Sequence, residues 1–320
     1  MKISILIPTY NRSKFLIKNL KHLTRIIKEN NFTTQVEIIV SNNCSTDDTH
    51  SQVANFLKKS SRKISISYYK RKTNTGLEQN ALFTLSKATA EYVMFIGDDD
   101  YIDEKYLIKI LKEIKHDSKI TAIIPSIQAI DIYGNKLQQG RDLKKKNQQY
   151  RQGFFNCLCN SWRGHQLSGL LFKRKGLLLS YKTNFVSNIY PFIYFLSYSC
   201  FRGKTLHITD YPVLVTTPGI DKKDWNYGKD GLVTEVFNNY SQLGGLPRFK
   251  KSILQIYFLY VQKWRYLSYL NQNFLSFFRA CWIILKAKDT LWLTKIFFLP
   301  LCIIAIISSM FKKSICFIKK

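Results

Sequence analysis

Residues 90–100 read AEYVMFIGDDD: a short apolar run that ends at Gly97 and opens at once onto three carboxylates, Asp98, Asp99 and Asp100. A near-continuous run of tyrosine, valine, methionine, phenylalanine and isoleucine is the pattern of a strand covered on both faces, as in a parallel sheet. Other short β-rich runs, most of them near-continuously apolar, fall at residues 3–7, 36–41, 64–69 and 121–125. Between them, residues 13–28, 48–59, 77–88 and 103–116 carry apolar residues at helical spacing. Strands alternating with helices of this length predict βαβ units, and hence a doubly wound, mostly parallel α/β sheet with helices on both faces.

In such a sheet ligands gather at the carboxyl ends of the strands. The residues there are Pro8, Thr9, Tyr10 and Asn11 after the first strand, and 42–47 after the second. They are 70–74 after the third and 97–100 after the fourth. Three adjacent carboxylates repel one another unless a cation sits among them. A divalent ion bound by one or two carboxylates and a substrate diphosphate resolves that repulsion. Helix capping competes with this explanation, because Asp99, Asp100 and Asp103 precede or open the next helix, where acids are favourable. Capping accounts for one of them, not for three in a row behind a strand.

Four segments together resemble the inverting family 2 glycosyltransferases of GT-A fold, of the bacterial polysaccharide-assembly type: SILIPTYNR (4–12), IIVSNNCSTDDT (38–49), NTGLEQN (74–80) and AEYVMFIGDDD (90–100). The resemblance covers the donor-binding half and gives little help after about residue 217. It implies that Pro8, Thr9, Tyr10 and Asn11 pack against a nucleobase and ribose, and that Asn74 belongs to an Asn-x-Gly turn at the site. It also implies Asp98 as the ribose or outer metal contact and Asp100 as the metal ligand proper, for Mn2+ or Mg2+, with Asp99 facing outward. Where the family usually has an aspartate that accepts from uracil, this chain has Asn42. An asparagine can accept from the same N–H or donate to a base carbonyl, so uracil selectivity is less fixed. The resemblance also calls for a late Glu or Asp as the acceptor's general base, yet residues 184–204 contain no acid. Asp210, Asp221 and Asp224 come next, and Asp224 is favoured because its neighbour Trp225 suits a sugar face. His165 is a further polar candidate, against the commoner structural role of a lone histidine.

The chain's 49 Lys and Arg against 21 acids leave a formal charge of +28, which calls for an anionic partner. No nucleic-acid-binding motif accompanies it, so nucleic acid is set aside. The C-terminus favours a lipid surface instead. Residues 296–311, IFFLPLCIIAIISSMF, are uncharged and flanked by Lys295, Lys312 and Lys313. That run is short for a bilayer crossing, which takes about 20 apolar residues. An interfacial or re-entrant anchor is expected, with a single span and a buried core helix as the other two options. The start of the chain carries no signal-peptide core, and the seven scattered cysteines lack paired metal spacing, so a reduced, cytoplasmic setting is expected.

The expected organisation is a catalytic domain over 1–220, with a nucleotide-binding half (1–125) and an acceptor half (126–220). A flexible loop over 221–250 and a helical, apolar, membrane-associated region over 251–320 follow. The expected activity is transfer of a hexose from a nucleoside diphosphate, UDP above all, to a lipid-linked glycan at the cytoplasmic face of the membrane, with inversion, in capsule or related polysaccharide synthesis. The rival of another class is an inactive, basic, membrane-associated binding or scaffold protein.

Overall fold

The computed structural model describes residues 1–60, 64–217 and 234–318. The first half alternates as its sequence predicts: β1 (Ile3–Thr9), α1 (Ser13–Glu29), β2 (Val36–Asn42), α2 (Thr49–Lys59), β3 (Ser65–Lys70), α3 (Gly76–Lys87), β4 (Tyr92–Phe95), α4 (Glu104–His116) and β5 (Ile120–Ile130). The second half adds β6 (Lys136–Arg141), β7 (Gln148–Tyr150), α5 (Phe154–Asn160), β8 (Leu171–Lys173), α6 (Leu177–Thr183), α7 (Pro191–Cys200) and β9 (Lys204–Thr216). The helices α8 (Thr234–Ser241), α9 (Arg248–Val261), α10 (Trp264–Leu267), α11 (Phe274–Lys286) and α12 (Trp292–Ile318) close the described chain.

Among the described residues the strands form one sheet in the order β3-β2-β1-β4-β8-β5-β9-β7, with β6 on β5. β3, β2, β1 and β4 run parallel, as do β5 and β9. β8 is antiparallel to both β4 and β5 and joins the two halves. Alternation along the strands sends Leu6, Phe95 and Phe172 to one face and Ile5, Ile7 and Met94 to the other. The first face is covered by α3 and α6–α9, with Phe192 and Phe195 packed on Phe95. The second is covered by α1, α2 and α4 through Leu16, Leu20, Val53, Tyr106 and Ile110. Each buried aromatic contributes roughly 1.5–3 kcal/mol, so the doubly covered sheet is the frame on which the site is built.

Two expectations change. β5 continues past Pro125, where the apolar run was expected to stop, because its pairing with β9 shifts register between Pro125 and Ile127, a bulge that accommodates a residue with no N–H. Residues 221–250 were expected as a loop; their described part instead contains α8 and the start of α9. Val236, Phe237, Tyr240 and Leu243 are buried at helical spacing, and their apolar face outweighs the asparagines and glycines around them. A reciprocal amide pair, Asn188 with Asn239 at 2.9 and 3.0 Å, fixes α8 to the loop before α7.

Candidate functional site

β1 and β4 are parallel neighbours, so the loops that leave their carboxyl ends lie side by side. They enclose a cleft of about 300 Å³ lined by Pro8, Thr9, Tyr10, Arg12, Asn43 and Asn74 on one side and Gly97, Asp98, Asp99 and Asp100 on another. Gln166, Leu167 and Val215–Thr217 complete it from the second half of the chain.

Asp98 and Asp100 are buried, at 6% and 5% exposure. Thr9 Oγ1 donates to Asp98 Oδ2 at 2.7 Å. Asp100 accepts from the Ser168 hydroxyl through Oδ2 and from the Thr216 N–H through Oδ1 at 3.0 Å. Burial first, and the charge of Asp99 second, push both carboxyls up to about 7. Arg12 opposes this at Asp98, 3.6 Å from Oδ1. Asp99, expected to face outward, is instead tied to Arg12 Nη1 at 2.8 Å and lines the cleft. One guanidinium thus pairs with two of the three carboxylates. The charge imbalance suits a further cation in the cleft, and each aspartate oxygen keeps a lone pair beyond its present hydrogen bond. No group of three or more His, Cys, Asp or Glu placed to hold a metal on its own occurs among the described residues. The arrangement therefore fits an ion that takes one or two protein carboxylates and completes its shell with phosphate and water.

Gly97 makes this geometry possible. A Cβ there falls 2.8 Å from Asp100 Oδ2 and 3.2 Å from its carboxyl carbon. Gly97→Ala is expected to turn Asp100 away from Ser168 and Thr216, at a cost of about 1–3 kcal/mol for the unmade hydrogen bonds. A chemical melt and a UDP titration of the variant check this; unchanged stability and affinity contradict it.

Not every expected residue reaches the cleft. Pro8, Thr9, Tyr10, Asn74, Asp98 and Asp100 do. Asn11 is not among the lining residues: it adopts φ 52° and its side-chain Oδ1 accepts from Thr46 N at 2.8 Å, tying the loop after β1 to the loop after β2. Asn42, expected at the nucleobase, is fully buried, with its Nδ2 on the Tyr68 hydroxyl at 2.8 Å and its Oδ1 accepting from Ser45 N at 2.8 Å. Its polar groups are spent inside the fold, and Asn43 lines the cleft in its place. Asn43 Nδ2 donates to Asn74 Oδ1 at 2.6 Å, and Asn74 Oδ1 also accepts from Gly76 N at 3.0 Å, where Gly76 takes φ +80°. The Asn-x-Gly turn is therefore set by the loop after β2.

Asp221 and Asp224 lie outside the described residues. Asp210 is exposed on β9 and accepts from the Asn147 amide, away from the cleft lining. His165 gives its Nδ1 to the Trp162 carbonyl at 2.8 Å and stacks on the Trp162 ring, while burial and Arg141 push it down to about 3, so it is neutral. Outside the acidic run, no carboxylate among the described residues lines the cleft. Arg12, Asn43, Ser168 and Thr216 were missed from sequence. Arg12 and Asn43 sit inside the informative segments, whereas Ser168 and Thr216 are 68 and 116 residues from Asp100 and carry no local signal.

The family model for glycosyl transferase family 2 matches residues 4–169. Staphylococcus aureus TarS, a poly(ribitol-phosphate) beta-N-acetylglucosaminyltransferase, is 34% identical over 110 residues, 33% of this chain and 18% of that protein. A Campylobacter jejuni GalNAc(5)-diNAcBac-PP-undecaprenol beta-1,3-glucosyltransferase is 36% identical over 100 residues, 31% of this chain and 30% of that protein. These alignments thus span less than a third of either relative. Among solved structures, S. aureus TarS 1–349 in complex with UDP-GlcNAc superposes with a TM-score of 0.63 at 21% identity, covering 90% of this chain and 76% of that one. A Pyrobaculum calidifontis mannosyltransferase in complex with GDP-Man and Mn2+ gives 0.53 at 14%, covering 88% and 74%. At these identities the likeness is one of fold, GT-A in type. The family match takes in slightly more than half of the chain, including all four segments that end at the cleft, and the protein belongs to glycosyl transferase family 2.

Proposed function

We propose that this glycosyltransferase moves a hexose from UDP to a glycan carried on a membrane lipid, with inversion, at the cytoplasmic face of the membrane during cell-surface polysaccharide assembly. The observation that carries the reading is the pair Asp98 and Asp100, buried together at the wall of one cleft with Arg12 as its neighbouring guanidinium. The names of the relatives support the donor and acceptor classes, since one acts with N-acetylglucosamine and another on an undecaprenol-linked glycan.

In this account Pro8, Thr9 and Tyr10 pack on the nucleobase and ribose, and Asn43 and Asn74 shape that wall. Asp98 and Asp100 would hold Mn2+ or Mg2+, which would supply positive charge to the departing diphosphate. Arg12 adds a guanidinium to the same wall. The acceptor hydroxyl attacks the anomeric carbon from the side opposite the diphosphate, so the configuration inverts. Its proton passes to a carboxylate base. Asp224, in the chain shortly after the cleft residue Thr217, is proposed for that role. The donor half is assigned to residues 1–125 and the acceptor half to 126–220.

The test is transfer from radiolabelled UDP-sugars to lipid extracts, with and without manganese. Turnover that requires the metal and is lost in Asp224→Asn supports the whole reading; full turnover in that variant removes Asp224 as the base. Binding of UDP without transfer from any UDP-sugar turns the account toward the inactive binding protein.

A further inference from the structure

The C-terminal helices are apolar on two faces, and only one is used by the fold. α11 buries Phe277, Cys281 and Ile284 but leaves Phe274, Leu275, Phe278 and Trp282 more than half exposed. The spacing 274, 278, 282 places the bare aromatics on one side of the helix. α12 repeats this: Phe298, Leu301 and Cys302 are buried, while Trp292, Ile296, Leu299 and Ile303 are more than half exposed along a second stripe. The two helices pack on each other through Cys281 and Cys302. Scattered exposed apolar residues are ordinary, but two consecutive helices with continuous apolar stripes mark an interaction surface.

The charge around these stripes says what covers them. Residues 248–318 contain eleven Lys and Arg and a single acid, Asp289. That acid is engaged by the Ser241 hydroxyl at 2.8 Å. Arg279, Lys286, Lys288 and Lys295 are exposed beside the stripes, with Lys286 over the Trp282 ring. Aromatic and aliphatic stripes bordered by cations match the boundary of an anionic bilayer, where apolar side chains enter the acyl region and Lys and Arg meet the headgroups. A second copy of this chain brings the same positive charge and is disfavoured.

We infer that the exposed faces of α11 and α12 form a docking surface that lies flat in the interface of a membrane containing anionic lipid. In-plane docking follows from the packing: α11 and α12 as far as Cys302 each have one side buried against the protein, so lipid reaches the other side there. No helix among the described residues is long and apolar enough to cross a membrane. The surface is joined to the catalytic region through one continuous buried cluster that includes Phe277, Ile284 and Phe298. Gln255 of α9 accepts from Leu291 N at 3.0 Å and from the Thr294 hydroxyl at 2.9 Å, fixing the start of α12. Arg265 meets the Tyr190 hydroxyl at 3.3 Å, beside the N-terminus of α7. The inference rests on the lipid-linked acceptor proposed above, and it assigns the surface that keeps the cleft at a set distance from that lipid.

The test is flotation of the full chain with vesicles of phosphatidylglycerol and phosphatidylcholine, and with phosphatidylcholine alone. The expected result is binding that needs phosphatidylglycerol and falls about a hundredfold in Phe278→Ser/Trp282→Ser, given the apolar surface withdrawn. A second variant, Lys286→Glu/Lys288→Glu, keeps the stripe and is expected to lose the anionic preference. Circular dichroism and the thermal shift caused by UDP are followed in each variant, and both are expected to stay at the wild-type value. Wild-type protein that fails to float, or variants that float like wild type, overturn the docking surface, and unchanged UDP binding leaves the enzymatic reading standing. An oligomer dissolved by the aromatic substitutions, without vesicle binding, assigns the face to a second copy instead. Loss of UDP binding in the wild type is the separate outcome that defeats the enzymatic reading.

Discussion

Asp100→Asn is expected to lower turnover about a thousandfold, the size of effect seen when a preorganised charge contact at a transition state is removed, while the fold is retained. The substitution is isosteric. An asparagine carbonyl can still accept from Thr216 N, and its amide can donate to the Ser168 oxygen, so both neighbours of the present carboxylate stay partnered. What is lost is one of two buried negative charges, and with it half of the protein's contribution to a cation at the diphosphate. Because burial and Asp99 already disfavour the charged form of Asp100, its removal is not expected to destabilise the protein. The checks are kcat at saturating donor and the midpoint of thermal unfolding. A variant that keeps more than about a tenth of wild-type turnover, against the thousandfold loss expected of such a contact, places the diphosphate charge elsewhere.

Asp142→Asn is expected to act in the opposite sense, with a loss of about 3–5 kcal/mol in stability, the cost of breaking a buried ion pair. Asp142 joins Arg163 Nε at 2.7 Å and Lys145 Nζ at 2.9 Å, and approaches His207 Nε2 at 3.3 Å. Arg141 lies buried beside it, donating to the carbonyls of Arg163 and Pro125. Without the carboxylate, Arg163 and Arg141 are left as buried cations. The backbone is not the reason, since Asp142 sits at φ 63°, a conformation that asparagine tolerates equally.

Burial alone raises the Asp142 carboxyl, but His207, Arg163 and Lys145 outweigh it and hold the group well below the ordinary carboxylate range. Its folded value therefore lies under the unfolded value of about 3.9. The stabilisation is fully present above that pH and declines as the pH falls below it. Urea unfolding of wild type and Asp142→Asn at pH 7 and at pH 3 checks the sign: the gap between the two is expected to narrow at the lower pH. A gap that widens in acid contradicts the assignment.

The legible part of the sequence was the part whose partners are close in the chain. Short β-rich runs, most of them near-continuously apolar, located β1 to β4, and helical spacing located α1 to α4, because both depend on nearest neighbours. The acidic run stood out because Gly97 and its carboxylates follow a buried strand without a gap. Ser168, just before β8, is brought to Asp100 by the antiparallel insertion of β8 between β4 and β5, and Thr216, at the end of β9, by the bridge between Tyr101 and Leu214. The step from Asn42 to Asn43 was equally hidden. Asn42 ends β2 and Asn43 is the next residue, so pleat and loop turn one inward to Tyr68 and the other to the cleft. α8 was lost to composition, because its two asparagines and the glycines that follow it mask the three apolar residues it buries, Val236, Phe237 and Tyr240.

The most direct measurement is calorimetric titration of the purified full chain with UDP, with and without Mn2+, in the wild type and in Asp100→Asn. The account predicts one site, tighter binding with the metal, and loss of the metal's contribution in the variant. Absence of UDP binding to the wild type under both conditions, or a metal effect that survives in Asp100→Asn, contradicts it.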